Sequence, residues 1–269
     1  MTSRGIFATL GVLLLVLALL GLAIPLAGEP GRNSATASYV LDVDKSTDRF
    51  ADVQYGLARI ISPAVNFTVV NRSVLTEERV PMDYSFADDL ESFARFENNS
   101  EEGNVSIDAG SASNGTFYIL PNNVRISQGL NRMYLTPLSG NGGISELEIN
   151  VTFAAGNADR AQWESLQTSP VGSPDALPVR VRVTDTSYAL YEDFAETLNR
   201  SMQSRINITL SGNLVGYVQF SPPGSVEIYS APGADLKALA RFSNPVRVEA
   251  DGTISVQSLA NKTGRIRVA

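Results

Sequence analysis

Oxygen-bearing side chains at every second position are the first feature of this sequence that could do chemistry. In the stretch DVDKSTD, Asp42, Asp44, Ser46 and Asp48 alternate with other residues, as the oxygen ligands of calcium-binding loops do. Such loops require glycine where this chain has Thr47, and they require a later bidentate glutamate that does not follow here. The stretch is therefore a calcium candidate that lacks two features of such loops, and capping of a following helix explains the same residues.

Two further groups of side chains could act on sugars or bind them. Carboxylates are dense in FADDLE and NNSEEGN, and glycosidases work with paired carboxylates, but no matched acid and base stands out. Tyr188, Tyr191 and Phe194 could line a sugar or partner surface. Their spacing is also that of a helix face, which more often packs into a core.

The chain contains neither cysteine nor histidine. Disulfides, thiolate nucleophiles and sulfur-bound zinc are therefore excluded, together with the Ser-His-Asp triad and the usual histidine metal sites. We predict a protein that is not an enzyme and has no cofactor. The alternative is an anchored carbohydrate-binding or carboxylate-dependent glycan-processing module.

Composition excludes two other classes. The 269 residues are 43% hydrophobic and 18% charged, which is unlike a disordered chain and is enough to bury a substantial core. The formal net charge is −7, so no basic groove for a phosphate backbone is expected and we predict no nucleic-acid partner.

An uncharged run near the N-terminus predicts the cellular location. As a helix, Ile6 to Leu26 would extend about 31 Å, which matches the hydrocarbon thickness of a bilayer. Arg4 precedes the run and no basic cluster follows it, so the body is expected outside the cell membrane. The run predicts a single-pass anchor, with removal as a secretory signal near Gly28 as the alternative.

Asparagines support export. Nine of the eighteen asparagines occur in Asn-x-Ser/Thr sequons, where chance predicts roughly two or three, and this excess predicts N-glycosylation. An abundance of Ser and Thr beside turn asparagines is the alternative explanation. The sequon asparagines are Asn66, Asn71, Asn98, Asn104, Asn114, Asn150, Asn199, Asn207 and Asn261.

Hydrophobic periodicity predicts a mainly β fold with β-sandwich-like, antiparallel sheets. In ELEINVTF, Leu147, Ile149, Val151 and Phe153 alternate with polar residues, as in a strand with one buried face. In the strand sequons that begin at 66, 150 and 207, the Asn and Thr should face solvent while the middle residue faces the core.

Helical spacing predicts a few helices among the strands. One lies in KSTDRFADVQYGLARIISP, with Ser46 or Thr47 as its cap and Pro63 at its end. Two others lie in SFADDLESFARF and in SYALYEDFAETLNRSMQ.

Proline, serine and glycine mark the predicted boundaries. We assign residues 1–28 to the transmembrane or signal helix and 29–45 to a flexible neck. Residues 46–165 form a first β-rich extracellular module with two helices, and 178–269 form a second with one helix. The segment SLQTSPVGSPDALP separates them.

The opening SRGIF, followed by the apolar run, resembles the class III signal of archaeal type IV pilin-like surface proteins. The resemblance implies cleavage between Gly5 and Ile6, a helix that packs as a filament stem, and a β-rich, often glycosylated domain outside. The chain departs from the pilin pattern at PLAGEPG, which should break the stem, and in having Leu10 where many bacterial pilins carry glutamate.

These observations together predict a membrane-anchored, N-glycosylated structural or adhesive surface protein. It could be a pilin-like filament component, since the resemblance covers the first 26 residues by motif. The expected partners are the membrane, through Ile6–Leu26, and copies of itself or other envelope proteins. No ligand can be read from the residues.

Overall fold

The computed structural model of this chain describes residues 39–63, 65–80, 87–99, 104–129, 131–187, 191–257 and 261–269. Within them, helix α1 covers 39–61, helix α2 covers Ala87–Asn98 and a single 3-10 turn covers Gly110–Asn114. The strands are β1 Asn66–Val70, β2 Ser73–Val80, β3 Asn104–Asp108, β4 Thr116–Leu120, β5 Val124–Gly129, β6 Arg132–Pro137, β7 Ile144–Phe153, β8 Arg160–Ser165, β9 Ala176–Asp185, β10 Tyr191–Asn199, β11 Ser204–Leu210, β12 Asn213–Ser221, β13 Ser225–Ser230, β14 Ala234–Phe242, β15 Arg247–Gln257 and β16 Lys262–Arg267.

The strands form two sheets, which confirms the predicted mainly β, sandwich-like fold. Sheet A has the order β1-β2-β14-β7-β9-β10, and sheet B has the order β16-β15-β4-β5-β6-β13-β12-β11-β8, with β3 also paired to β15. Paired strands are antiparallel except β7 and β9, which are parallel. The chain enters sheet B as β8 between these two strands and then returns, so both run in the same direction.

The core lies between the inner faces of the two sheets. Leu147 of sheet A and Met133 and Ile228 of sheet B line the same small internal space. The alternation predicted in β7 is confirmed, since Val151 and Phe153 are also almost fully buried. Each such apolar side chain contributes about 1.5–3 kcal/mol to folding, so the alternating strands supply most of the driving force.

Aromatic pairs connect the two sheets on both sides of the fold. The rings of Phe67 in β1 and Phe117 in β4 meet edge to face, with centroids 5.0 Å apart. At the opposite side, Trp163 in β8 and Phe194 in β10 make a similar contact at 5.6 Å. Each pair joins a strand of sheet A to a strand of sheet B, and such contacts add about 0.5–1.5 kcal/mol beyond area burial.

The predicted division into two modules is corrected by the strand order. β14, from the segment 178–269, lies between β2 and β7, which belong to 46–165. In sheet B, β13 of the second segment pairs with β6 of the first. Both segments contribute to both sheets, so the described strands do not divide into two separate modules. Local composition at 165–178 marks a loop because prolines and glycines end strands at loops as well as at domain boundaries.

Helix α1 is longer than predicted. Residues 39–45, assigned to a flexible neck, are already helical, so Ser46 and Thr47 lie inside the helix and do not cap it. Ser46 is buried, and its hydroxyl donates to the carbonyl of Val43 at 3.0 Å. A serine whose hydroxyl bonds to a carbonyl of its own helix can occupy an interior position as well as an N-cap. The presence of Ser46 therefore did not mark the N-terminus of the helix.

Two glycines allow α1 to pack closely against its neighbours. A Cβ at Gly264 of β16 would lie 2.6 Å from the ring of Phe50, and a Cβ at Gly56 would lie 2.6 Å from the ring of Phe93 in α2. Arg49 and Glu97 add an ion pair of 2.6 Å between the helices. The helix therefore sits tightly against β16 and α2.

The helix predicted in 187–203 is wrong. Residues 191–199 form strand β10, which pairs along its whole length with β9. Phe194 lies opposite Val181 and Leu198 lies opposite Leu177, so both face the core. The helix predicted in SFADDLESFARF is confirmed as α2, with Asp88 and Asp89 in its first turn.

The predicted membrane helix lies in residues 1–38, outside the described part of the chain. Among the described residues, neither helix combines the length and the apolar character needed to cross a bilayer.

Candidate functional site

The predicted calcium ligands do not converge. Asp42, Asp44, Ser46 and Asp48 all lie on α1, where a step of two residues turns the side chain by about 200°. Successive members therefore point to opposite sides of the helix. In the described part of the chain, no group of three acidic side chains is arranged to hold a metal ion. The prediction that these four side chains form a calcium site is therefore wrong.

Of the aromatic group predicted at 188–194, Phe194 is the member whose side chain the structure describes. Tyr188 lies outside the described residues, as do Gly5 and Ile6 of the predicted cleavage site. Phe194 packs against Trp163 at the edge of the core.

Five sequon asparagines are solvent-exposed: Asn66, Asn71, Asn98, Asn114 and Asn261. They lie on an edge strand, in a hairpin turn, at the end of α2, at the end of the 3-10 turn and before β16. A glycan requires an exposed position of this kind. The amide of Asn66 also donates to Glu77 at 3.0 Å, and that of Asn98 accepts from the backbone of Ile107 at 2.9 Å.

Three further sequon asparagines, Asn150, Asn199 and Asn207, are half-buried. Asn207 accepts a hydrogen bond from Nε of Arg205 at 2.8 Å and donates one to Glu164 at 2.9 Å. The carbonyl of Asn199 accepts from the backbone of Ser201 at 2.9 Å. Asn150 lies on the outer face of sheet A with a buried side-chain oxygen. Asn104 begins β3.

The predicted geometry of the strand sequons is confirmed. Val151 and Ile208 are fully buried, and Phe67 is 9% exposed, so the middle residue of each strand sequon faces the core. The flanking Asn and Thr lie on the outer faces of the sheets. Their polarity is therefore sufficient to place them outside, with or without a sugar.

The outer face of sheet B carries a set of side chains that we call the tyrosine strip. Tyr217, Tyr229 and Arg132 are cross-strand partners on β12, β13 and β6, and Arg205 of β11 reaches the ring of Tyr217 from the neighbouring row. The guanidinium of Arg205 lies 4.0 Å from the ring centre of Tyr217, and Arg132 lies 5.4 Å from that of Tyr229. The two rings are 5.2 Å apart and tilted by 32°. The strip is completed by Glu227 and Tyr134 in the neighbouring row.

Glu227 is the hydrogen-bonding centre of the strip. It accepts from the hydroxyl of Tyr217 at 2.6 Å, from Arg132 at 2.9 Å and from the hydroxyl of Tyr134 at 3.4 Å. Burial, followed by the hydrogen bond to Glu227, raises the pKa of Tyr217 to about 12. Tyr217 therefore remains a neutral donor at physiological pH, and the hydroxyls of Tyr217 and Tyr134 are both held by Glu227.

The outer face of sheet A carries paired charges. One row runs across all six strands through Asn66, Glu77, Lys237, Asn150, Arg182 and Asp193. Lys237 bonds to Glu77 at 2.6 Å, and Arg182 lies 3.6 Å from Asp193. Such exposed cross-strand pairs contribute well under about 1 kcal/mol each, so the row stabilises the sheet modestly.

A shallow groove of about 600 Å³ lies beside this row, between β9, β10 and the segment before β9. Glu146, Arg180 and Glu196 contribute charges to its lining, together with Thr168 and Thr197. Arg180 binds Asp193 through both carboxylate oxygens. The groove is a second concave, polar surface but contains no aromatic side chain among its lining residues.

The tyrosine strip is the site that sequence reasoning missed. Its members are far apart in sequence, at 132–134, 205, 217 and 227–229. A signal was nevertheless present, since Tyr134, Tyr217 and Tyr229 each occupy the polar phase of an alternating strand. Alternation predicts that such tyrosines face outward, but only strand pairing brings them together.

No protein-family model matches the chain, and no curated protein or solved structure is significantly similar to it. The fold and the surface chemistry therefore carry the functional argument.

Proposed function

We propose that this chain is a single-pass, membrane-anchored extracellular protein with a structural or adhesive role in the cell envelope, and that it carries N-glycans. The observation that carries the proposal is the docking of α1. The helix packs against β16 and α2 and is already formed at residue 39, so only twelve residues separate it from the apolar run that ends at Leu26. Because α1 is docked on the folded body, the body would be held close to the membrane anchor.

The N-terminal end of α1 supports the same arrangement. Tyr39, Val40 and Leu41 are each at least half exposed, whereas Val53 and Leu57 are buried. The exposed residues lie at the end of the helix that leads toward the predicted anchor. A helix whose later turns are docked and whose first described residues are exposed is compatible with the pilin-like alternative, in which such helices assemble into a filament.

Two features support a role without catalysis. The chain has no histidine or cysteine, and several acidic residues on the outer faces of the sheets, such as Glu148 and Glu227, are paired with arginine. Such pairs hold side chains in place, whereas a catalytic acid and base need different, perturbed environments.

N-terminal mass spectrometry of the native protein tests the anchor. A start at Met1 or Thr2 supports a plain anchor, and a start at Ile6 supports pilin-type processing. A start near Glu29 would overturn membrane anchoring and indicate secretion. Protease treatment of intact cells provides the matching test of orientation, because an external body is digested while a cytoplasmic control protein is not.

A further inference from the structure

The tyrosine strip differs from the charged row of sheet A in its aromatic content. Four of the nine tyrosines of the chain, Tyr118, Tyr134, Tyr217 and Tyr229, lie on the outer face of sheet B. Tyrosine offers a large rigid contact area with a hydroxyl at its tip, so it is enriched at binding surfaces. The concentration of tyrosines on one face therefore points to a ligand.

The strip is arranged before any ligand arrives. Tyr217 is held between Arg205 and Tyr229, and its hydroxyl is fixed by Glu227. Ordering of loose side chains costs about 0.5–1.5 kcal/mol each on binding. A strip whose side chains already hold one another avoids most of that cost.

Hydrogen-bonding capacity remains at one end of the strip. The side chain of Arg132 is 45% exposed and bonds to Glu227 and Tyr134 through one terminal nitrogen; within the described part of the chain, its other nitrogens have no hydrogen-bond partner. Among the described residues, the hydroxyl of Tyr229 has no hydrogen-bond partner. A ligand rich in hydroxyl groups could use both.

Charge complementarity favours an uncharged ligand. Arg132 is neutralised by Glu227 at 2.9 Å, and Arg205 is neutralised by Glu164 at 3.1 Å. The strip and its immediate partners thus contain two positive and two negative charges. An ionic ligand would have to break one of these pairs, whereas a neutral one would not.

The face is also accessible on a glycosylated protein. In strands β4 to β6 and β11 to β13, Asn207 is the one sequon asparagine, and both ends of its amide are already hydrogen-bonded. The exposed sequons lie elsewhere, on β1, the helices and the loops. Glycans there would leave the strip uncovered.

We propose that the tyrosine strip binds a neutral polysaccharide. Sugar hydroxyls bond to Arg132 and to the hydroxyl of Tyr229, and sugar C–H groups contact the partly exposed side chains of Tyr217 and Tyr229. The biological use of this site rests on the proposed extracellular location, because envelope polysaccharide is met outside the cell.

Co-sedimentation of the purified full-length chain tests the proposal, in a detergent without a sugar headgroup. The probes are cellulose, starch, mannan and chitin, with alginate as the polyanionic comparison. The wild type should bind at least one neutral polysaccharide and should bind alginate less. Tyr229→Ala should weaken binding at least about tenfold, as expected for an aromatic hot spot.

Three further variants keep the test decisive. Arg132→Gln, at the exposed end of the strip, should weaken binding even if the tyrosine variant does not fold. Tyr55→Ala removes an exposed tyrosine from α1, and Glu196→Gln alters the groove on sheet A; both should bind as wild type does.

Three results would overturn the proposal: no neutral polysaccharide bound by the wild type, binding lost with Glu196→Gln but kept with Tyr229→Ala, or a Tyr229-dependent dimer in place of sugar binding. Because binding is measured on purified protein, these outcomes are independent of the anchoring tests above.

Discussion

The glutamates at 77 and 78 are neighbours in β2 that face opposite sides of sheet A, and they should have opposite effects on stability. Glu78 is 4% exposed, lies opposite Leu236, and has no hydrogen-bond partner for either carboxylate oxygen. Burial alone raises the pKa of Glu78 from 4.5 to about 8. We predict that this one carboxyl makes the protein less stable as the pH rises from 5 to 8.

The sign follows from the proton count. The folded state keeps the Glu78 proton up to about pH 8, whereas the unfolded chain releases it near pH 4.5. The contribution of the Glu78 carboxyl to the unfolding free energy is therefore fully present below pH 4.5 and is lost as the pH rises through 8. At about 1.4 kcal/mol per pH unit, the whole interval corresponds to at most about 5 kcal/mol.

The assay is urea unfolding of the full-length protein at several pH values between 5 and 8.5. The chain has no histidine, so the side chains that ordinarily titrate in this interval are absent. Glu78→Gln cannot ionise, so its unfolding free energy should be nearly independent of pH. We compare the unfolding free energy of the variant with that of the wild type at each pH. Between pH 5 and pH 8, this difference should shift in favour of the variant by about 2–5 kcal/mol.

Glu77→Gln is the matched control. The hydrogen bond from Lys237 lowers the pKa of Glu77, so its contribution is present above its unfolded pKa and is lost only as the pH falls through the acid range. This variant should lose less than about 1 kcal/mol at neutral pH and should keep the wild-type slope between pH 5 and 8. A wild type without that slope, or a Glu78→Gln variant that retains it, would refute the reasoning.

Three further predictions concern helix docking, the core and the sugars. Gly264→Val places a side chain where the ring of Phe50 lies, so α1 should be displaced, with a loss of about 1–3 kcal/mol in thermal unfolding and faster amide exchange in residues 39–61. Phe117→Ala removes a fully buried ring that contacts the other sheet and should cost about 3–5 kcal/mol in urea unfolding. Asn71→Gln should remove one glycan from the intact mass of the native protein, whereas Asn207→Gln should leave that mass unchanged apart from the substitution.

Each of these predictions has a control. Gly129→Val adds the same side chain to a strand where no atom lies within 4 Å of the new Cβ, so α1 should stay docked. Leu214→Ala removes a side chain that is 46% exposed and should cost far less than Phe117→Ala. Equal effects within either pair would contradict the packing argument, and a glycan at Asn207 would contradict the argument from its bound amide.

Most of the β structure could be predicted because alternation is a local property. Val151 and Phe153 are separated by one polar residue, so any strand through them buries both on the same face. The error at 187–203 has an equally local cause. Phe194 and Leu198 are four residues apart, and a spacing of four places side chains on one face of a strand as well as of a helix. Pairing with β9 decides between the two, and β9 is not part of the local pattern.

The candidate site could be predicted less well than the fold. The polar phase of Tyr217 and Tyr229 indicates that both face outward, but they become neighbours only because β12 and β13 pair in one register. The calcium candidate failed for the complementary reason. Four ligands that alternate in sequence would converge only in a loop, and the chain there is a helix docked against β16.

The sequence by itself determined the apolar run, the sequons, the lack of histidine and cysteine, and the alternation that makes the fold mainly β. These are properties of residue types and short spacings. The tertiary structure alone decided that both halves of the chain share two sheets, which asparagines are exposed, that Glu78 is buried without a partner, and that Arg205, Tyr217, Tyr229 and Arg132 form one strip. The physical reason is that each depends on contacts between segments that are distant in sequence, and strand register sets those contacts.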